Sequence, residues 1–232
     1  MATFSECSKE CSQNDRNGFI LGIDIGTTNI KTSLVNKTSK ETVARQHVHH
    51  LAQVESEIPG DFKRHEQVVE QIFTALNKCL SGLPDVYMKY VRDIVVCGQM
   101  HGCVLWNKEM LFALEGIVQD RLHLQQTGNS VFSHLMTWED GRCSPDFLGT
   151  LPKPSSGCPL ASGFGCATLF WLEKNTPEVF EKYDCAGTIM DLVVACVCRS
   201  KQVYISSQNA CSWGYYDIKS QNWELDKYVE KI

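Results

Sequence analysis

The residues best suited to chemistry begin at Asp24, the first member of an Asp-x-Gly-Thr-Thr motif that closes a run of apolar residues. A carboxylate in that setting is costly unless a cation or a hydrogen-bond donor meets it. A tight turn at Gly26 would point backbone N–H groups at an anion, and the hydroxyls of Thr27 and Thr28 can donate to phosphate oxygens. Asp24 can hold Mg²⁺ through water, because this ion keeps much of its hydration shell. The alternative is a plain hairpin, with a left-handed glycine and Asp24 capping the turn.

A second polar cluster reads Gly-Gln-Met-His-Gly over residues 98–102 and directly follows a short apolar stretch. Gln99 and His101 offer both donors and acceptors, which suits a polyol ligand. The flanking glycines let the backbone approach a ligand closely, and loops on rigid strands often carry binding residues. The alternative is a histidine whose hydrogen bonds are satisfied within the core.

A third cluster, Thr-Trp-Glu-Asp-Gly-Arg, occupies residues 137–142. The indole of Trp138 can pack against the C–H face of a sugar, while Glu139, Asp140 and Arg142 can bind its hydroxyls. The alternative is a turn at a strand end with a surface ion pair, which would contribute little free energy.

The hydrophobic pattern predicts the elements that must position these clusters. Strands are predicted at residues 19–25, 30–35, 41–48, 92–97 and 134–138, and β-forming residues at 204–217. Helices are predicted at residues 69–80, 144–151, 167–174 and 224–231, with a short strand passing into a helix over 187–198 and a loop or insertion over 109–130. The order hairpin, strand, helix, strand predicts an α/β fold, a mixed β-sheet with helices packed against it.

Bulk composition excludes several classes of function. The chain has 232 residues and a formal net charge of −5, which argues against nucleic acid or an anionic membrane as the main partner. The twelve cysteines form no CxxC pair and lie mostly in apolar stretches, so we expect structural thiols in a reducing cytoplasm. Residues 1–17 are polar and are predicted to form a disordered tail. The longest apolar run of the sequence is too short to cross a bilayer. There is no GxxxxGK[ST], GxGxxG, GxSxG or HExxH motif.

The three clusters, in this order and at this spacing, resemble the FGGY carbohydrate kinases of the actin and hexokinase superfamily. The stretches GQMHGCVLW, HLMTWEDGRCSPDFL, ASGFGCATLFWLEKNTPE, YDCAGTIMDLVVA and SSQNACSWGYYD carry the resemblance, which covers residues 19–232. DxGTT alone is typical of the whole superfamily, and MHG with WxDxR narrows it to FGGY kinases. The later stretches favour members that act on sedoheptulose, a seven-carbon ketose, over those that act on xylulose. The fold implied is a ribonuclease H-like domain at residues 18–232.

The resemblance also implies roles for individual residues. Asp24, which would hold Mg²⁺, would face the phosphates of Mg–ATP together with Gly26, Thr27, Thr28 and Lys31. The ketose pocket would be lined by Gln99, Met100 and His101, with Trp138 as a sugar-packing ring. Glu139, Asp140 and Arg142 would border this pocket or brace its wall, and Asn209 would face the same cleft.

The chain departs from the family pattern in length, because members are about twice as long. The Asp that acts as general base toward the sugar, and most of the adenosine pocket, would belong to a second domain. We therefore expect an N-terminal half that is inactive in isolation and that self-associates through its exposed domain interface. Two alternatives stay open: a non-catalytic sugar- or partner-binding fragment, and a kinase for another ketose such as xylulose.

Overall fold

The computed structural model describes residues 18–54, 64–113, 131–155 and 157–224. The predicted tail at 1–17, nearly all of the helix predicted at 224–231 and most of the loop predicted at 109–130 lie outside these residues. The strands are β1 (Phe19–Ile25), β2 (Asn29–Asn36), β3 (Thr42–His49), β4 (Glu66–Gln67), β5 (Val91–Gly98), β6 (Val104–Trp106), β7 (Leu135–Met136), β8 (Cys185–Gly187), β9 (Tyr216–Asp217) and β10 (Asn222–Trp223). The helices are α1 (Val69–Ser81), α2 (Asp85–Met88), α3 (Lys108–Ala113), α4 (Pro145–Thr150), α5 (Gly165–Asn175), α6 (Val179–Lys182), α7 (Ile189–Cys198) and α8 (Ser207–Trp213).

The central sheet has the strand order β3-β2-β1-β5. Strands β1, β2 and β3 form an antiparallel meander, whereas β5 pairs with β1 in parallel. A parallel partner needs a crossover connection, and α1 lies within it. The mixed sheet predicted from the sequence is therefore confirmed.

Burial alternates along β1 and assigns each face of the sheet a different task. Leu21, Ile23 and Ile25 are buried, whereas Gly22 and Asp24 lie on the opposite, partly open face. Helices α1 and α7 cover the buried face with fully buried side chains such as Ile72 of α1. Burying each large apolar side chain contributes about 1.5–3 kcal/mol, so this face anchors the sheet.

A second, smaller core forms beside the sheet. It joins β6, β7, α5 and α8 through Leu105, Met136, Leu172 and Trp213. This core supports the chain segments that follow β5 and β7, which carry the second and third polar clusters.

Two regions differ from the sequence-based expectations. Residues 204–217 carry β-forming residues, but the structure contains α8 there, because the Ser206 side chain accepts a hydrogen bond from the Asn209 N–H and caps the helix. The loop expected from Glu109 is wrong at its start, where α3 extends to Ala113. In the part of the chain that is described, no helix is long and apolar enough to cross a membrane.

Candidate functional site

The first two polar clusters meet at one edge of the sheet, where the parallel strands β1 and β5 both end. The Gln99 N–H donates to the Ile25 carbonyl over 2.8 Å. A Cβ atom on Gly98 would lie 2.4 Å from that same carbonyl oxygen, which no real side chain tolerates. Glycine at this position therefore lets the loop after β5 lie against the turn after β1, at the edge where open α/β sheets usually bind ligands.

Neighbouring residues hold the turn at residues 26–28 in place through hydrogen bonds to its carbonyl groups. Gln67 donates through Nε2 to the Thr27 carbonyl over 2.8 Å, and the His50 N–H donates to the Thr28 carbonyl over 3.2 Å. Burial lowers the pKa of His50, and its Nε2 lies 3.3 Å from the Gly26 carbonyl, so this nitrogen carries the donated proton.

The N–H groups of Thr27 and Thr28, by contrast, have no acceptor among the described residues. The turn does connect the β1–β2 hairpin, but Gly26 does not have the left-handed conformation that the plain-hairpin alternative assumed. Backbone N–H groups left unpaired beside tied-back carbonyls form a site suited to an anion.

Asp24 and Lys31 lie beside this turn on the open face of the sheet. Lys31 Nζ is 3.8 Å from Asp24 Oδ2, and the two side chains are 64% and 42% exposed, respectively. Such an exposed pair contributes little stability, so both groups remain available to a ligand. A groove of about 500 Å³ runs along this face from Asp24 toward Arg45 and His47.

The donor set at Asp24 fits one kind of metal ion. Among the residues that the structure describes, no group of three or more His, Cys, Asp or Glu side chains gathers to hold a metal. A single exposed carboxylate beside free N–H groups is instead what hydrated Mg²⁺ bound to a phosphate requires, since this ion takes few protein ligands.

The third cluster adjoins the turn through Trp138. Its Nε1 donates to Thr27 Oγ1 over 3.2 Å, and the ring is 47% exposed. Glu139 beside it is also exposed. An indole whose N–H is fixed by a hydrogen bond and whose ring remains partly exposed to solvent is suited to stacking against a sugar.

Gln99 is connected to the same turn by a buried side chain. Its Nε2 donates to Gln67 Oε1 over 3.0 Å, and Gln67 in turn holds the Thr27 carbonyl. Gln99 Oε1 is buried and accepts no hydrogen bond within the described ranges. A buried acceptor without a donor is unfavourable, so a ligand hydroxyl or a water would stabilise it.

His101 is held in a strained but well-supported conformation. Its φ is 69°, in the left-handed region, and its ring stacks on Phe164 with 4.3 Å between the ring centroids. Nδ1 lies 3.0 Å from the Ser212 carbonyl. A carbonyl can only accept, so Nδ1 carries a proton, and in that tautomer Nε2 is an acceptor. Backbone strain of this kind is often found at functional sites.

Met100 and Asn209 line a cleft of about 240 Å³ between β5, α7 and α8. Gln208 approaches Met100 Sδ at 3.7 Å. Asn209 is buried and donates through Nδ2 to both Thr188 Oγ1 and Asp191 Oδ1, each over 3.3 Å. Its amide thus ties α8 to the first turn of α7 as well as facing the cleft.

Asp191 also lines this cleft, although it belongs to none of the three polar clusters. Burial raises the pKa of its carboxyl. Its Oδ2 accepts from the N–H and the hydroxyl of Thr188, which forms a capping box at the start of α7. The carboxylate is therefore engaged in ordering the helix that forms the cleft floor.

Asp140 and Arg142 lie in the same loop as Trp138 but are buried, with side chains 0% and 6% exposed. Arg142 donates through Nε to Asp140 Oδ1 over 2.7 Å and through Nη2 to Oδ2 over 3.0 Å. Asp140 also accepts from the His65 N–H. The pair braces the loop that presents Trp138 and Glu139, and it offers no atom to a ligand.

Four polar residues behind the site escape the sequence patterns: Glu66, Gln67, His50 and His134. The hydrogen bond from His134, together with that from Arg142, lowers the pKa of Glu66 to about 2, and the same contact raises the pKa of His134. Two of these residues form β4, which pairs with β7 far along the chain. No local signal marks such residues.

Comparison with known proteins gives a family model and relatives that all belong to the carbohydrate kinases. Residues 19–229 match the family model described as the N-terminal domain of the FGGY family of carbohydrate kinases. The chain is 43% identical over 222 residues to sedoheptulokinase of Mus musculus, covering 89% of this chain and 43% of that protein. It is 42% identical over 215 residues to sedoheptulokinase of Homo sapiens, covering 89% and 44%.

A solved structure, Plasmodium falciparum glycerol kinase with ADP, superposes with a TM-score of 0.67 at 16% identity and covers 90% of this chain and 40% of that one. This likeness confirms the predicted fold, the α/β domain of the actin and hexokinase type. The chain spans less than half the length of the curated relatives that it matches.

Proposed function

Because the chain belongs to the FGGY family of carbohydrate kinases and matches its N-terminal domain, we propose that it forms one wall of the active-site cleft of an ATP-dependent ketose kinase. The reaction is transfer of the γ-phosphoryl group of ATP to sedoheptulose, giving sedoheptulose 7-phosphate and ADP. One observation supports it most: an anion-suited turn and a polyol-suited loop end side by side at the β1–β5 edge. The identity to two sedoheptulokinases favours this ketose over xylulose.

The phosphate side of the proposed cleft is the turn at residues 26–28 with Asp24 and Lys31. The free N–H groups of Thr27 and Thr28 bind phosphate oxygens, and Lys31 supplies a positive charge next to them. Asp24 holds hydrated Mg²⁺, which when bound offsets negative charge on the transferred group. The groove along the open face of the sheet accommodates the phosphate chain.

The sugar side is the loop that carries Gln99, Met100 and His101, together with the exposed ring of Trp138. His101 Nε2 accepts a hydrogen bond from a sugar hydroxyl, and Gln99 Oε1 gains the donor that it lacks. Glu139 borders the opening. Asn209 acts from the cleft floor by fixing α8.

The rest of the cleft is proposed to lie in a second domain, as the family resemblance implies. The general-base Asp toward the sugar and most of the adenosine pocket belong there, so the isolated chain binds the sugar but transfers no phosphoryl group. The exposed Ile94 and Val95 on the edge strand β5 favour self-association of the isolated chain. A cytoplasmic location is proposed as well, because the twelve cysteines form no CxxC pair and lie mostly in apolar stretches.

Titration calorimetry with sedoheptulose, xylulose and glycerol tests this proposal. Sedoheptulose should bind at least about tenfold more tightly than the other two. His101→Asn should abolish the binding without unfolding the loop, because asparagine tolerates positive φ. Gln221→Asn is a matched control, since Gln221 also has positive φ (54°) but lies in the turn before β10. Tighter binding of xylulose or glycerol than of sedoheptulose would refute the substrate assignment.

A coupled ADP-release assay with Mg²⁺, ATP and sedoheptulose tests the division between two domains. The isolated chain should show no turnover. Turnover that disappears in Asp24→Ala would mean that this chain assembles a whole site by itself. Sugar binding without turnover in any longer form of the protein would instead favour the alternative, a non-catalytic sugar-binding module.

A further inference from the structure

One pair of cysteines stands apart from the other described thiols. Five of the ten are buried, and Cys97 and Cys198 are exposed. Cys158 and Cys211 are both partly exposed, and their sulfur atoms lie 3.5 Å apart, in direct contact. The two residues are far apart in sequence, so only the fold brings them together.

The pair joins two segments that support the candidate site. Cys158 lies in the loop of residues 157–164, which ends in Phe164, the ring stacked on His101. Cys211 lies in α8, next to Ser212, whose carbonyl accepts a hydrogen bond from Nδ1 at the edge of the His101 ring. The loop and the helix thus both contact His101, and the contact between the two sulfurs joins the loop to the helix.

The loop itself is packed closely enough to transmit a constraint. Ser162 donates through Oγ to the Asp140 carbonyl over 2.7 Å and accepts from the Cys143 N–H over 3.1 Å. A Cβ atom on Gly163 would lie 2.3 Å from the Trp138 carbonyl. Fixing one end of this loop would therefore also limit the movement of the segment at residues 137–142, which presents Trp138.

We propose that Cys158 and Cys211 are a modification site at which a peroxide forms a reversible disulfide, which fastens the 157–164 loop to α8. A disulfide has an S–S distance of about 2.05 Å, so the sulfurs need to approach by only about 1.5 Å. Side-chain rotation and a small shift of the partly exposed loop supply this movement. This proposal does not depend on the kinase assignment.

The chemistry balances with hydrogen peroxide as the oxidant. One thiolate attacks the peroxide, the O–O bond breaks, and a sulfenic acid and one water are formed after proton transfer. The second thiol attacks the sulfenic sulfur, the S–S bond forms, and a second water leaves. The two sulfurs lose two electrons in total, which reduce the peroxide, and a dithiol such as dithiothreitol reverses the reaction.

Neighbouring groups set the conditions for this reaction. The hydrogen bond with Cys158 raises the pKa of Cys211, so oxidation should be faster at alkaline pH, where the thiolate is more populated. Cys97 and Cys198 are more exposed, but within the described residues neither contacts another sulfur. They stop at a sulfenic acid or a mixed disulfide, which makes them internal controls.

Peptide mapping by mass spectrometry tests the proposal. The chain is treated with limiting hydrogen peroxide, blocked with N-ethylmaleimide, digested and analysed, with and without dithiothreitol. The expected result is a linked peptide that contains Cys158 and Cys211, is lighter by two hydrogens and is lost on reduction. It should be absent in Cys158→Ser and unchanged in Cys198→Ser. Recovery of both cysteines as maleimide adducts, while Cys97 and Cys198 are oxidised, would overturn the proposal.

Thermal unfolding tests the second part, that the bond fastens the loop. The oxidised chain should melt roughly 5 °C or more above the reduced chain, because the link closes a long loop of the unfolded state. The Cys158→Ser variant should show no such rise after the same treatment. An unchanged melting temperature in the cross-linked chain, or an equal rise in the variant, would refute this part.

Discussion

Replacing Asp140 with alanine should destabilise the domain more than any change at the exposed part of the site. The substitution leaves the Arg142 guanidinium, 6% exposed, without the two hydrogen bonds that it donates to this carboxylate. It also leaves the His65 N–H without its acceptor. Breaking a buried ion pair from one side costs about 3–5 kcal/mol, and Glu66 remains as a partial partner, so we expect about 3 kcal/mol.

Urea unfolding followed by circular dichroism measures this loss, and a melting temperature lower by roughly 10 °C should accompany it. Asp24→Ala is the control, since its 3.8 Å pair with Lys31 is exposed and should contribute less than about 1 kcal/mol. Asp140→Asn keeps an acceptor for the backbone and should lie between the two. If Asp140→Ala unfolds within about 1 kcal/mol of wild type, or no lower than Asp24→Ala, the bracing role is wrong.

Three further predictions concern Glu66, Gly98 and Ser206. The pKa of Glu66 is lowered to about 2, so its contribution to stability is fully present above its ordinary pKa of 4.5 and is lost as the pH falls through 2. The pKa of His134 is raised, so its contribution is fully present below its ordinary pKa of 6.5 and is lost as the pH rises through the pKa of the folded state. The stability lost in Glu66→Gln, measured by urea unfolding, should therefore be largest between pH 4.5 and 6.5; a pH-independent loss would contradict the pairing. Gly98→Ala should cost more than about 2 kcal/mol, because its Cβ meets backbone atoms. Gly149→Ala in α4, with nothing within 4 Å, should be neutral or slightly stabilising, since alanine is the better helix former; equal melting temperatures of the two variants would refute the close approach. Ser206→Ala should destabilise the domain by about 1 kcal/mol, because α8 loses its N-terminal cap, and it should weaken sugar binding. An unchanged sugar affinity in titration calorimetry would show that α8 does not support the sugar pocket.

The elements with a strong local pattern could be predicted almost to the residue. The strand predicted at 19–25 is β1, and the helix predicted at 69–80 is α1, because their apolar residues repeat with a period of two or of three to four. The sequence pattern favours β-structure in the region of α8, because β-forming residues surround this helix. A capping serine at its start outweighs that weak preference.

The candidate site was predictable as a set of clusters but not as a geometry. The turn and the loop meet at one edge of the sheet, which the order of the clusters in the sequence did not indicate. The inward direction of Asp140 was not visible, because an Asp-x-Arg pair reads the same whether it faces solvent or core. Gln67 was invisible for another reason: it belongs to a two-residue strand whose partner is β7, so its role exists only after long-range pairing.

The parallel pairing of β1 with β5 also has a consequence for the order of folding. The meander of β1, β2 and β3 closes through short turns, whereas β1 and β5 are roughly 70 residues apart along the chain. Closing the longer loop costs more entropy, so the turn at residues 26–28 should be in place before the loop at 98–102 joins it. Pulsed hydrogen exchange should protect the amides of β2 earlier than those of β5. The two halves of the site would then come together only late in folding.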